Sequence, residues 1–139
     1  MKMKEMISSK TLYFYPTTNL MFINLSNHNS SNWSEEQRMA AAKFGEIIDM
    51  DFPILTPTAT SDEVSSLAER YAVEILSRPL SSSDAVHIMG EMTFTYALVK
   101  RLRQQGIKCL ASTTQRIKQA LPDGTFISEF RFQTFRPYE

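Results

Sequence analysis

The chain has 139 residues, is 42% apolar, and balances 15 Lys and Arg against 15 Asp and Glu. That length and apolar content predict one domain with a real core and exclude whole-chain disorder. Zero net charge excludes a broad electrostatic grip on duplex nucleic acid but leaves room for a local anion pocket. The lone cysteine, Cys109, lies in an apolar run without an internal partner, which fits a reduced, cytoplasmic setting.

Residues 1–19 carry lysines but no continuous apolar segment and no small-residue cleavage pattern. They read as a frayed leader or, through TLYFY at 11–15, as an extra edge strand. No stretch approaches the ~18 apolar residues that a membrane span needs, so no membrane association is expected. A first buried strand follows, LMFINLS at 20–26. It runs into SNHNSSNW, a polar loop without the Gly or Pro that a tight turn uses. Ser34 then opens a helix with Gln37 in a capping box, and Trp33, Gln37, Ala40, Ala41 and Phe44 form one stripe that ends at Gly45.

A second strand is expected at EIIDM (46–50), followed by the long loop DFPILTPTATSD (51–62). Ser61 caps the next helix, in which Val64, Leu67, Ala68, Tyr71 and Ile75 recur at i, i+3, i+4 spacing. AVHIM (85–89) is the third strand. The third helix starts near Thr93, carries Phe94, Ala97, Leu98 and Leu102, and stops at Gly106. IKCLAS (107–112) is the fourth strand. Residues 116–121 then alternate, PDG turns the chain at 122–124, and TFISEFRFQTF alternates again, which predicts a β-hairpin appended after the core. Phe126, Phe130 and Phe132 share one of its faces. Such a hairpin covers a sheet edge, makes a dimer contact or acts as a flap. Strands apolar on both faces, alternating with amphipathic helices, predict a single α/β domain over 20–139. Its expected form is a Rossmann-like open parallel sheet with helices on both faces and a C-terminal β-hairpin.

In such sheets ligands bind outside the carboxyl ends of the strands. Three of the four strand exits are polar. The first carries Asn27, His28, Ser30, Ser31, Asn32 and Trp33; the third carries Gly90, Glu91 and Thr93; the fourth carries Ser112, Thr113, Thr114 and Arg116. Hydroxyls and helix-start N–H groups suit phosphate, and asparagine suits a base edge or a ribose hydroxyl. Trp33 either stacks on a base or anchors its helix. His28 is either a proton-transfer group, because imidazole exchanges protons near neutral pH, or a hydrogen-bonded loop histidine. Glu91 either binds ribose, acts as a base or favours its helix N-terminus. Arg116 is a candidate to clamp a phosphate or to stabilise a charged transition state, and His87, mid-strand, reads as a buried and satisfied residue. The chain lacks GxGxxG, GxxxxGK[ST] and GxSxG motifs, and its two histidines and one cysteine lack zinc-site spacing. No cofactor is expected.

The succession of an apolar strand, S-N-H-x-S-S-x-W, G-E-M-T and S-T-T-x-R resembles small standalone CRISPR-associated proteins related to the CRISPR-associated Rossmann-fold (CARF) domains. The resemblance covers about residues 20–138. It implies a homodimer that binds cyclic oligoadenylate, with cyclic tetra-adenylate the first candidate. It further implies a ring nuclease that cleaves this messenger without a metal and so switches off type III CRISPR signalling. By this resemblance His28 transfers the proton; Ser30, Ser31, Thr113, Thr114 and Arg116 hold phosphates; and Asn27, Asn32 and Glu91 hold ribose or adenine. Some relatives place a lysine beside these loops and this chain does not, which bears on turnover more than on binding. Two alternatives stay open: a non-catalytic sensor or sponge for the same messenger, and a nucleoside N-glycosidase or deoxyribosyltransferase with Glu91 as nucleophile.

Overall fold

The computed structural model describes residues 20–139. The leader or edge strand expected in residues 1–19 lies outside them. Strands and helices alternate as expected: β1 (Met21–Ser26), α1 (Glu35–Ala42), β2 (Glu46–Asp51), α2 (Ser61–Leu76), β3 (Ala85–Met89), α3 (Met92–Gln104), β4 (Lys108–Ala120) and β5 (Phe126–Pro137). They form one five-stranded sheet in the order β2-β1-β3-β4-β5. β1 to β4 are parallel, and β5 returns antiparallel to β4. Among the described residues no helix is long and apolar enough to cross a membrane.

Alternation along each strand sorts the side chains into two cores. Ile23, Leu25, Val86, Ile88 and Cys109 face α2 and α3, where Val64, Ala68, Ile75, Phe94, Leu98 and Leu102 complete the larger core. Phe22, Ala85, Leu110 and Phe135 face the other way and meet Trp33 and Ala41 beside α1. Helices therefore cover both faces. Burial in the larger core pushes the Cys109 thiol up to about 12, so it stays protonated and inert. At the amino end of the sheet, the buried Asp84 carboxylate accepts the backbone N–H of Met21 at 2.6 Å and so ties the start of β1 to that of β3.

Two boundaries differ from the sequence reading. The cap of α2 is Thr60 rather than Ser61: its hydroxyl accepts the Glu63 N–H at 3.1 Å, and the Glu63 carboxylate accepts the Thr60 N–H at 2.8 Å. That reciprocal pair needs a three-residue spacing, which Thr60 and Glu63 supply. More consequentially, β4 does not end at residue 112 but runs for 13 residues. β3 pairs only with its beginning, from Lys108 to Leu110, whereas β5 pairs with it out to Ala120. The antiparallel partner satisfies the backbone of the polar run, so Ser112–Arg116 stays extended. These residues lie within a strand, not at a strand exit. The hairpin is thus continuous with the sheet, and a β-bulge between Thr113 and Thr114 shifts its register.

Candidate functional site

β1 leads through α1 to β2 on one side of the sheet, while the chain crosses through α2 to β3 on the other. Loops that leave β1 and β3 therefore diverge and open a crevice at the carboxyl ends of the two strands. α1 has only eight residues and leaves the far end of its face uncovered. A cavity of about 630 Å³ remains there, within the ~300–1,000 Å³ common for small-molecule sites. Ser26, Asn27 and His28 form one wall, Met89 and Gly90 the next, and Glu129–Phe132 of β5 close the opposite side. A second cavity, of about 660 Å³, lies between α3 and the C-terminal tail and is lined by Met92, Tyr96, Val99 and Tyr138. Lys100, Arg103, Gln104 and Glu139 also line it, so it is polar too. The crevice is the stronger candidate because it lies at the strand-order reversal, where the loops leaving β1 and β3 diverge.

A hydrogen-bonded row crosses four strands beneath the crevice, and His87 and Ser112 at its end line the cavity floor. Asp49 of β2 accepts from Asn24 Nδ2 at 2.8 Å, Asn24 Oδ1 lies 2.9 Å from His87 Nδ1, and His87 Nε2 lies 3.1 Å from Ser112 Oγ. Burial would raise the Asp49 pKa, but hydrogen bonds from Asn24 and from the backbone and hydroxyl of Ser30 outweigh it and hold the carboxyl below its ordinary value. His87 is 2% exposed, and burial pushes its imidazole down to about 4. Its ring is therefore neutral at neutral pH.

Of the residues singled out from sequence, Asn27, His28, Asn32, Trp33, Gly90, Ser112 and Thr114 line this cavity. The His28 imidazole and the Asn27 and Asn32 side-chain amides make no hydrogen bond with any other described residue, although the His28 carbonyl accepts from Asn24 at 2.9 Å. Trp33 is 8% exposed and meets Phe22 and His87 edge-on at 6.1 and 5.5 Å. It is an anchor of the smaller core, and its rings are not free to form a base-stacking platform. Gly90 has a packing reason of its own, because a Cβ there would lie 2.2 Å from the Phe52 ring.

The remaining candidates are placed elsewhere. Ser30 is committed to Asp49: its N–H reaches Oδ1 at 3.0 Å and its hydroxyl reaches Oδ2 at 2.8 Å. Ser31 sits in a 3-10 turn over Ser30–Asn32, with its N–H donating to the Asn29 side chain at 2.9 Å. Glu91 is the cap of α3; its Oε1 accepts the Phe94 N–H at 2.8 Å and the Thr93 hydroxyl at 2.7 Å, which keeps the carboxyl below its ordinary pKa. Glu91 thus caps α3, and the Thr93 hydroxyl is committed to the Glu91 carboxylate. Thr113 points to the opposite face from Ser112 and Thr114, and its hydroxyl donates to the Thr134 carbonyl at 3.2 Å. Arg116 lies further out along the hairpin, donating to Ser128 Oγ at 3.2 Å. Arg131 is the arginine on the cavity wall, 3.5 Å from Glu129.

The crevice, the polar row and all of the sheet but Pro137 at the end of β5 fall within residues 20–136, the span matched by one protein-family model. The chain belongs to the Uncharacterized protein MJ1673 family. No curated protein and no solved structure gives a significant match to it. Asn24 and Asp49, which hold His87 from behind the cavity, are residues that the sequence reading missed. Their one signal was a polar side chain inside an otherwise apolar strand.

Proposed function

We propose that the chain is a ring nuclease that binds cyclic oligoadenylate in the crevice between β1 and β3 and cleaves it. The observation that carries this reading is the convergence of Asn27, His28 and Asn32, their side chains uncommitted among the described residues, on a cavity at the strand-order reversal. Two side-chain amides supply the donors and acceptors that read an adenine edge or a ribose. His28 stands beside them as a proton-transfer group. A cavity of about 630 Å³ is smaller than a tetranucleotide ring, which favours a homodimer that shares the ring across its two-fold axis.

Cleavage then follows from positioning. The ribose 2′-oxygen attacks the adjacent phosphorus and forms the new P–O bond as the P–O5′ bond breaks. The 2′-hydroxyl proton leaves to a base, the 5′-oxygen gains a proton, and a 2′,3′-cyclic phosphate end results. Such a step draws most of its acceleration from in-line geometry and charge stabilisation. Arg131 takes the place on the cavity wall that the sequence reading gave to Arg116.

Incubation with cyclic tri-, tetra- and hexa-adenylate in EDTA, followed by product separation, tests the reading. Linear products with cyclic phosphate ends support it, and His28→Ala should slow their formation at least ~tenfold while binding persists. Tight binding of rings that stay intact would favour a sensor or sponge instead, a reading favoured by the turning of Arg116 to Ser128. Release of free adenine would overturn both.

A further inference from the structure

Asp49, Asn24, His87 and Ser112 are joined in a row in which each link dictates the next. An ionised carboxylate only accepts hydrogen bonds. Asn24 must therefore turn its amide nitrogen to Asp49, where the same nitrogen also reaches the His28 carbonyl at 2.9 Å. A flipped amide would set its oxygen against two acceptors. The Asn24 oxygen is thereby aimed at His87 Nδ1, which must carry the ring proton. The ring is neutral, since burial pushes it down to about 4, so Nε2 presents a bare lone pair. That lone pair faces Ser112 Oγ at 3.1 Å and draws the hydroxyl proton back into the floor. Met89 Sδ, 2.9 Å from the same oxygen, is a much weaker acceptor than imidazole nitrogen and does not compete.

We infer that Ser112 is a fixed hydrogen-bond acceptor in the cavity, which selects a ligand group that donates, an amine or a hydroxyl, and turns away phosphate oxygens. The inference rests on the crevice being the ligand site. It reverses the role expected of the Ser112–Thr114 hydroxyls, which as donors would hold phosphate. The same four residues also match the order of a nucleophile, a base and its orienting group. The burial of His87 speaks against that use: a ring that takes a proton only near pH 4 does not accept one from serine, and the Asn24 amide brings no charge to steady an imidazolium.

A cyclic oligoadenylate carries both donors, the adenine exocyclic amine and the ribose 2′-hydroxyl. In the inosinate ring an acceptor oxygen replaces the amine, and the 2′-deoxy ring lacks the hydroxyl. The test measures the affinity of the full chain for the adenylate ring and these two analogues, with Ser112→Ala alongside. The wild type should bind the adenylate ring at least ~tenfold tighter than one analogue, which identifies the donor, and Ser112→Ala should abolish that difference. Equal affinity for all three, or discrimination that survives Ser112→Ala, would overturn the inference. Nitrogen NMR of histidine-labelled wild-type protein reads the tautomer without any ligand. A proton on His87 Nδ1 supports the acceptor assignment, and one on Nε2 overturns it. If no ring binds and Nδ1 carries the proton, the proposed function fails and the acceptor assignment stands.

Discussion

His87 is the residue in which burial and hydrogen bonding meet most directly. Its folded pKa is about 4 against 6.5 for the free side chain. The unfolded chain thus takes up a proton as pH falls through about 6.5, while the folded chain stays neutral until about pH 4. Stability is therefore full above pH 6.5 and falls by about 3 kcal/mol as pH drops to 4. Urea denaturation across that window measures the slope, and His87→Gln should flatten it. Asp49, the carboxylate joined to the same row, has a lowered pKa, so its contribution is lost at more acid pH, as the carboxyl protonates through its folded value. The two losses are separable on one pH series. Gly90 supplies a second check at this scale. Its missing Cβ makes room for the Phe52 ring, which packs edge-on against Phe94 at 5.2 Å, so Gly90→Ala should cost about 1–3 kcal/mol in urea denaturation.

β4 and β5 are the elements whose form matters most to the site. The first three residues of β4 belong to the parallel sheet, and the rest builds a two-stranded hairpin with β5. The outer hairpin exposes Phe126, Ile127 and Phe130, at 63%, 50% and 68%, so it adds little to the core. Replacing Arg116–Phe130 with an Asn-Gly turn should leave stability within ~1 kcal/mol. The same replacement removes Glu129 and Phe130 from the cavity wall, so ring binding, read by calorimetry, should weaken while the melting temperature holds. At the start of α2, Thr60→Ala removes one half of the capping box and should cost about 1 kcal/mol by urea denaturation. The helix faces behind these statements were legible in sequence, because side chains three and four apart on a helix share a side whatever they pack against. The true length of β4 was not, because only β5, folded back antiparallel along it, keeps a polar run extended.

At the scale of the whole molecule, the proposed function predicts that two chains share one ring. Light scattering after gel filtration with cyclic tetra-adenylate should then give twice the 15.9 kDa of one chain; a monomer with ligand bound would remove the two-fold arrangement. The alternation of strands and helices, the faces of α2 and α3 and the polar exit of β1 were all determined by the sequence, because periodicity and caps act within a few residues of the chain. The candidate site was legible only in part: Asn27, His28 and Asn32 stood out, whereas Ser30, Glu91 and Arg116 looked equally available. Their partners decided otherwise, and those partners lie on a neighbouring strand, at a helix start and along the hairpin. The strand order, which sets the crevice beside β1 and β3, was decided by the tertiary structure. So was the row from Asp49 to Ser112, whose links join residues 25, 63 and 25 positions apart. A hydrogen bond across strands depends on register, and register exists only once the sheet is assembled.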